Sequence, residues 1–328
     1  MKYRQFGTTD LMVSEVGFGA WAIGGDARVG STAIGWGPAD DTTSKKAIHT
    51  ALDAGINFFD TADIYGLGHS EKLLGNSLAG QNVILATKVG NVAREGQFTF
   101  DYSAAHIKSA CEASLKRLNR QVIDYYQLHT ARLSHLQEGD CIRAMEELKK
   151  QGKIRYWGLS LNTFDPSPEA DFLMDSQVGQ GFQLVLNILN QRALPVMKRA
   201  SREGYGIIAR MPLQFGLLTG KFSEHSKFTD TDHRKNRLTP EIILRTNKAL
   251  QPLDDLCTKY GFSKTQLALS YILSYAEVST IIPGIRTSEQ VQWNTAGLKQ
   301  LDPADVRQIE AMGTAELADL LELIQKQG

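Results

Sequence analysis

Four side chains that lie far apart in the sequence have the types needed for acid–base chemistry at one centre. They are an acid, a phenol, an amine and an imidazole, each at or just beyond the end of an apolar run: Asp60, Tyr65, Lys88 and His129. A free phenol has a pKa of about 10, which is too high for efficient proton donation at pH 7. An ammonium group nearby favours the phenolate and lowers that pKa, so a tyrosine beside a lysine becomes a usable proton donor.

The four residue types indicate distinct roles. Asp60 would pair with Lys88 and hold its charge in a poorly solvated pocket, while Tyr65 donates the proton. His129 would hydrogen-bond the substrate oxygen and assist the transfer. Taken singly, each residue has an ordinary structural explanation, as a helix or turn cap, a solvated lysine or a satisfied histidine. Their joint placement at the ends of predicted strands favours the catalytic interpretation.

The apolar runs that carry these residues predict a parallel sheet. Eight such runs alternate with amphipathic helical patterns, and strands so uniformly apolar are buried on both faces. A doubly wound sheet and a closed barrel both satisfy this pattern, and the count of eight favours the barrel, whose strands all end at one mouth. The predicted strands are Val16–Trp21, Asn57–Thr61, Val83–Lys88, Ile123–His129, Tyr156–Leu161, Phe182–Asn187, Gly206–Arg210 and Ser279–Pro283.

The remaining segments complete an α/β protein, a (β/α)8 TIM barrel with an N-terminal hairpin and C-terminal packing helices. Lys2–Phe6 and Met12–Glu15 predict a hairpin that plugs one mouth of the barrel. No linker rich in Pro, Gly or Ser divides the chain, so we expect a single barrel domain over residues 1–328. The predicted helices include Thr42–Ala54, Ser70–Ala79, Ala104–Leu118, Cys141–Lys150, Leu194–Arg202 and Thr265–Ala276.

Three connections at the carboxyl ends of the strands are long and polar, and loops there build the site of such barrels. They are Gly24–Asp41, Arg132–Asp140 and Phe222–Thr239. The third contains a basic stretch that is either a solvated loop or a lid over cofactor phosphates. Trp36, in the first, either lines a substrate pocket or anchors its own loop. The basic residues of the third loop are His225, Lys227, His233, Arg234, Lys235 and Arg237.

Composition excludes several classes of protein. The 36 basic and 36 acidic residues leave no net charge to attract nucleic acid or an anionic membrane. Met1–Asp10 has no apolar core and no small-residue cleavage site, so we expect no secretory signal. No apolar run approaches the roughly 18 residues of a membrane span. The three cysteines are far apart, which argues against a disulfide framework. We therefore expect a cytoplasmic protein with no nucleic-acid or membrane partner and no metal, whose oligomeric state the sequence does not define.

Segments around all four residues resemble the signature motifs of the aldo-keto reductases. The resemblance spans roughly residues 3 to 300 in matching order. It implies a TIM barrel that binds a nicotinamide cofactor without a Rossmann domain, and no G-x-G-x-x-G follows a strand here. It also implies a catalytic tetrad of Asp60, Tyr65, Lys88 and His129, with Tyr65 as general acid. The matching segments are Gly55–Gly66, His69–Gly75, Leu85–Lys88, Asp124–His129, Gly216–Lys221 and Ile281–Arg286, with Glu289, Gln290 and Asn294.

The resemblance implies the cofactor contacts as well. Ser160 and Gln183 would hydrogen-bond the nicotinamide carboxamide. Arg286 would bind a 2′-phosphate near a helix start, which favours NADP(H) over NAD(H). Gln290 and Asn294 follow at intervals of four on the same helical face. The other implied contacts are Ala20 and Trp21 beside the nicotinamide, Met211, Leu213, Gly216, Leu218 and Lys221 along the pyrophosphate, and Gly284–Asn294 around the adenosine.

Two departures from the family pattern concern the nicotinamide. Ser160-Leu161-Asn162 stands where many relatives have Ser-Asn, which puts one carboxamide contact in question. Arg210 stands where many have an aromatic residue that stacks on the ring, and a planar guanidinium can also stack there. Arg210 is therefore included among the expected cofactor contacts.

We thus expect an NADP(H)-dependent oxidoreductase that reversibly reduces an aldehyde or ketone, including sugars, to the alcohol. A cofactor-binding module on the same barrel, either redox-sensing or associated with a channel and slow in turnover, is the alternative. A phosphate-sugar lyase or isomerase fits the barrel but leaves Tyr65 and Arg286 without a role.

Overall fold

The structure is a computed structural model and describes residues 1–315 and 317–327. Its centre is an eight-stranded sheet in which neighbouring strands are all parallel and follow one another in chain order. Bridges from Val16 to Ile281 and from Gly19 to Gly284 join the first strand to the last and close the barrel. The predicted TIM barrel is therefore confirmed.

All eight barrel strands lie within or next to their predicted ranges. In the numbering given next, the barrel strands are β3, β6, β7 and β10 to β14. In chain order the strands are β1 (Tyr3–Gln5), β2 (Met12–Ser14), β3 (Phe18–Gly19), β4 (Arg28–Val29), β5 (Thr32–Ala33), β6 (Phe58–Asp60), β7 (Ile84–Val89), β8 (Asn91–Arg94), β9 (Gln97–Phe100), β10 (Ile123–His129), β11 (Ile154–Ser160), β12 (Gly181–Val185), β13 (Gly206–Arg210) and β14 (Thr280–Ile282).

Helices surround the barrel and bury one face each. In the third helix, for example, Ser103 caps the first turn through the His106 N–H, and Asn119 ends the helix in the left-handed conformation. The helices are α1 (Asp41–Asp53), α2 (His69–Ser77), α3 (Ala104–Leu118), α4 (Leu133–Glu138), α5 (Asp140–Lys150), α6 (Ser167–Asp175), α7 (Leu194–Arg202), α8 (Pro240–Ala249), α9 (Asp254–Tyr260), α10 (Lys264–Leu273), α11 (Ser288–Thr295), α12 (Pro303–Thr314) and α13 (Ala318–Lys326).

The interior of the barrel has an apolar layer below a polar one. The predicted N-terminal hairpin, β1 paired with β2, is present and seals the lower end, where the Phe6 and Tyr125 rings meet edge-on at 4.9 Å. Because side chains alternate along a strand, residues two positions further on point into the same interior. The lower layer contains Phe58, Ala86, Tyr125 and Ile208, and the same four strands continue to Asp60, Lys88, Gln127 and Arg210.

Two more hairpins stand at the mouth. The β4–β5 hairpin lies within the predicted connection 24–41, whereas the β8–β9 hairpin was not predicted. Their tips touch, since a side chain on Gly30 would collide with the Gly96 carbonyl. The connection predicted as a long loop at Arg132–Asp140 is instead mostly helix α4. No helix in residues 1–315 and 317–327 is long and apolar enough to cross a membrane.

Candidate active site

Asp60 is the centre of a buried hydrogen-bond network at the end of β6. One carboxylate oxygen, Oδ2, accepts a bond of 2.6 Å from the Lys88 ammonium. The other, Oδ1, accepts bonds from the side-chain amides of Gln127 at 3.0 Å and Gln183 at 2.8 Å. Burial disfavours the ammonium, but the Asp60 carboxylate outweighs this effect and raises the pKa of Lys88 above its ordinary value. Lys88 is therefore charged at neutral pH.

Tyr65 lies in a short 3-10 turn just beyond β6, and its hydroxyl is 3.3 Å from the Lys88 Nζ atom. Burial raises the pKa of this phenol above its ordinary value, and Lys88 opposes that effect only in part. The expected lowering of the Tyr65 pKa is therefore wrong for this structure, because burial outweighs the field of Lys88 and the Asp60 carboxylate adds to the effect of burial. The phenol is protonated at neutral pH, and the phenolate formed after proton donation would lie beside an ammonium.

His129 ends β10 and faces Tyr65, with ring centroids 5.9 Å apart. Burial, Lys88 and Arg210 together hold the pKa of His129 well below its ordinary value. The imidazole is therefore neutral at pH 7, with one N–H to donate. Its Nδ1 atom is buried and has no hydrogen-bond partner within the described residues. The structure thus brings all four predicted catalytic residues together.

These groups meet at a cavity of about 970 Å³ in the mouth of the barrel. Lys88 does not line it and reaches it only through Asp60 and Tyr65. Leu218, expected along the pyrophosphate, is buried in the hydrophobic core instead and does not line the cavity. Every other expected cofactor residue lines it: Ala20, Trp21, Asp60, Ser160, Gln183, Arg210, Met211, Leu213, Gly216, Lys221, Gly284, Arg286, Gln290 and Asn294.

Ser160 and Gln183 are direct neighbours across β11 and β12. The Gln183 NH₂ group donates to Asp60, which orients the amide and leaves its carbonyl oxygen free to accept from a carboxamide. Asn162 stabilises its own loop and does not point to the cofactor cavity. Its side-chain oxygen accepts the N–H groups of Phe164 and Asp165, at 2.9 and 3.1 Å, and it does not line the cavity.

Four cations line another part of the cavity. Burial and the field of Arg234 lower the pKa values of both Lys221 and Arg286. Arg237 lies on the same wall, and Asp232 pairs with Arg234 at 2.5 Å. Cations held together against their mutual repulsion make a favourable site for a multiply charged anion.

Arg286 is not part of the helix that follows it. Thr287 caps α11, so the prediction that Arg286 shares a helical face with Gln290 and Asn294 is wrong. Arg286 and Gln290 are nevertheless adjacent, because the Gln290 side-chain oxygen accepts the Arg286 backbone N–H at 2.6 Å. The Arg286 guanidinium donates to the backbone carbonyls of Trp36 and Pro38, which ties it to the connection 24–41.

Aromatic rings cover the centre of the cavity. The His233 ring stacks on Trp21 and meets Trp36 edge-on, in both cases at 4.6 Å. Trp21 also stacks on Tyr65, at 5.7 Å. Trp36 therefore both lines the cavity and anchors its loop. The basic loop divides in the same way: His233, Arg234 and Arg237 line the cavity, whereas His225, Lys227 and Lys235 are exposed.

The sequence did not single out several residues of the site. Gln127 lies two positions before His129, so the alternation of β10 would have placed it inside the barrel. Phe98 reaches the cavity on the unpredicted β8–β9 hairpin. Trp293 also lines it, although its side chain is 63% exposed, and no pattern in the sequence marks it.

Comparisons with known proteins agree with this geometry. The chain belongs to the aldo/keto reductase family, whose model matches residues 15–314. It is 31% identical to the aldo-keto reductase YhdN of Bacillus subtilis over 89% of this chain and 87% of that protein. It is 29% identical to the NADH-specific methylglyoxal reductase of Escherichia coli, covering 96% and 99%. The solved glycerol dehydrogenase AKR11B4 of Gluconobacter oxydans superposes with a TM-score of 0.80 at 27% identity, over 95% and 94% of the two chains.

The residues present fit a nicotinamide dinucleotide. The cavity joins an acid–base centre to a wall of four cations, which matches a ligand with a redox ring at one end and phosphates at the other. Buried polar atoms without a partner, on His129, Arg210, His233 and Trp36, lie on side chains that line it. In the described part of the chain, no group of three or more His, Cys, Asp or Glu residues is placed to hold a metal ion.

Proposed function

We propose that this protein is an NADP(H)-dependent carbonyl reductase in which Tyr65 is the general acid. The observation that carries the proposal is the buried sequence of contacts from Asp60 through the Lys88 ammonium to the Tyr65 hydroxyl, with neutral His129 opposite. Such an arrangement has no structural necessity, because a buried ion pair is often no more stabilising than apolar residues. It suits a group that must give up a proton inside a cavity.

A nicotinamide cofactor, when bound, supplies the hydride that reduces the carbonyl carbon. Tyr65 donates its phenolic proton to the carbonyl oxygen, and Lys88 stabilises the phenolate that remains. His129 donates its single N–H to the same oxygen and orients it. Asp60 holds the Lys88 charge in place, and Gln127 and Gln183 orient the Asp60 carboxylate by donating hydrogen bonds to it.

Loss of the Tyr65 hydroxyl is the direct test. Tyr65→Phe should lower turnover by about 10²–10⁴-fold, as expected for loss of a general acid, while the Kd for NADPH stays near that of the parent. Stopped-flow or steady-state measurements of NADPH absorbance give the turnover, and fluorescence titration gives the Kd for NADPH. Tyr3→Phe, at an exposed tyrosine near the opposite end of the barrel, is the matched control. Near-parental turnover by Tyr65→Phe would exclude this role.

The preference for NADP(H) over NAD(H) rests on the cation wall. Arg286 carries a fixed charge beside Gln290 and next to the start of α11, where a 2′-phosphate would be stabilised. Arg286→Gln should weaken NADPH binding at least tenfold and leave NADH binding nearly unchanged. Arg202→Gln, at an exposed arginine outside the barrel, is the control. Equal losses for both cofactors would argue for an NAD(H) enzyme, as in the relative from Escherichia coli.

We further propose that the whole chain acts as one barrel domain and, with its three free cysteines, works in the cytoplasm. A panel of aldehydes, ketones and sugars, followed by NADPH absorbance, identifies the substrate class. Tight NADPH binding with very slow cofactor release and negligible rates on every carbonyl would instead favour the redox-sensing or channel-associated module.

A further inference from the structure

Arg210 carries a charge that the acid–base network does not neutralise. Its Nη2 atom donates to the Leu161 carbonyl and to the Thr163 hydroxyl, each at 3.1 Å, and its Nη1 atom contacts the Met211 sulfur at 3.1 Å. Its Nε atom is buried and has no hydrogen-bond partner in the part of the chain that the structure describes. All these contacts are to neutral groups, so they orient the guanidinium and do not balance its charge.

The charge count of the polar layer follows from the ion pairs. Lys88 and Asp60 form a pair and cancel. Among residues 1–315 and 317–327, no carboxylate lies within 4.0 Å of the Arg210 guanidinium. Although burial lowers the pKa of Arg210, a guanidinium stays protonated in proteins. With His129 neutral, the Arg210 charge at the centre of the site is not compensated, and the nearby Arg237 guanidinium adds to the positive field there.

The guanidinium is held near the groups that are proposed to bind the nicotinamide carboxamide. Arg210 ends β13, and its Nη2 atom reaches Leu161, directly after the end of β11. The side chain therefore crosses the carboxyl end of β12, the strand between them, which carries Gln183. Ser160 precedes Leu161 and is paired with Gln183, so both proposed carboxamide contacts lie on the strands that Arg210 spans.

We propose that Arg210 makes the site discriminate between the oxidation states of the cofactor and bind the reduced form more tightly. The reduced nicotinamide ring is neutral, whereas the oxidised ring carries a positive charge that the fixed guanidinium repels. Like charges inside a poorly solvated cavity repel each other strongly, so the effect survives moderate salt. Tighter binding of the reduced form also raises the midpoint potential of the bound cofactor couple above that of the free couple. This inference rests on the proposed nicotinamide-dependent function.

The test compares Kd values for NADPH and NADP⁺, measured by fluorescence titration and calorimetry on the whole protein. In the parent, NADPH should bind at least about tenfold more tightly, and in Arg210→Gln this ratio should fall about tenfold, equivalent to about 30 mV for a two-electron couple. Arg210→Lys keeps the charge and should keep most of the ratio. Arg286→Gln is the matched control. It removes an arginine from the four cations that are proposed to bind the cofactor phosphates, so it should weaken binding of NADPH and NADP⁺ equally.

A purely structural role for Arg210, as a clamp between β13 and β11, would weaken both cofactor forms alike and leave the ratio unchanged. That result would overturn the inference, as would a parent protein that binds NADP⁺ as tightly as NADPH. If Arg210→Gln fails to fold, Arg210→Met retains the apolar stem and gives the same comparison. Failure of the parent to bind either cofactor form would instead refute the proposed function itself.

Discussion

Asp60→Asn tests how the site is held together. The substitution keeps the shape of the side chain and removes one charge from a pair whose side chains are at most 3% exposed. Lys88 then retains a buried ammonium, with only the Thr61 carbonyl at 2.7 Å and the Tyr65 hydroxyl at 3.3 Å as partners. Removing one member of a buried ion pair costs about 3–5 kcal/mol, because the other charge is left uncompensated.

A loss of that size is measurable by calorimetry. At about 2.1 cal/mol/K per residue, unfolding of the 328 residues carries an entropy of about 0.7 kcal/mol/K. A loss of about 4 kcal/mol therefore lowers Tm by about 6 °C. Lys88→Met should lower the free energy of unfolding by a similar amount, because it leaves the Asp60 carboxylate buried without its ion-pair partner. The double variant removes both charges and should recover most of the loss.

The pH dependence follows from the sign of the Lys88 shift. Because the folded-state pKa of Lys88 is raised, the stabilisation is complete below the unfolded value of about 10.5 and is lost as the pH rises through the folded value. The difference in the free energy of unfolding between the parent protein and Lys88→Met should therefore be constant from about pH 6 to 9 and become smaller in stronger alkali.

An exposed ion pair supplies the control. Asp10 pairs with Arg155 at 2.8 Å but is 67% exposed, so Asp10→Asn should change the free energy of unfolding very little. A Tm shift in Asp60→Asn no larger than that in Asp10→Asn would refute the reasoning. So would a double variant of Asp60 and Lys88 whose loss equals the sum of the two single losses.

Two further predictions concern groups outside the catalytic network. Burial and the Glu71 carboxylate raise the pKa of Asp63 to about 8, so between about pH 4 and 8 the native state holds a proton that the unfolded state has released. The free energy of unfolding should therefore fall by up to about 1.4 kcal/mol for each unit by which the pH rises in this range. Asp63→Asn should abolish that slope when stability is measured by urea unfolding. An unchanged slope would contradict the raised pKa of Asp63. Phe6 packs against Gly181 and Gly206 at the lower end of the barrel, so Phe6→Ala should cost about 3–5 kcal/mol in stability. Its Kd for NADPH, measured well below Tm, should match that of the parent, and weakened binding would show that the plug and the site are coupled.

Much of this architecture was readable from the sequence, because the relevant patterns are local. Apolar runs of strand length separated by amphipathic helices predict the barrel, and α3 and α7 were predicted with the bounds that the structure has. The four chemistry-bearing residues could be brought together without coordinates, since parallel strands in a barrel all end at one mouth. The β8–β9 hairpin was not predicted, because short exposed strands bury no face and therefore show no periodic pattern of apolar residues.

Sequence patterns place Asp60, Tyr65, Lys88 and His129 at or just beyond strand ends, and therefore predict that they meet. The protonation states within the site could not be read from those patterns. They depend on the pairing of Asp60 with Lys88, on the burial of Tyr65, and on the lack of a carboxylate partner for Arg210 among the described residues. A pKa depends on burial and on every charge nearby, and these are set by contacts between segments distant in the sequence. The residue types define which reactions are possible, and packing decides the protonation state in which each group begins.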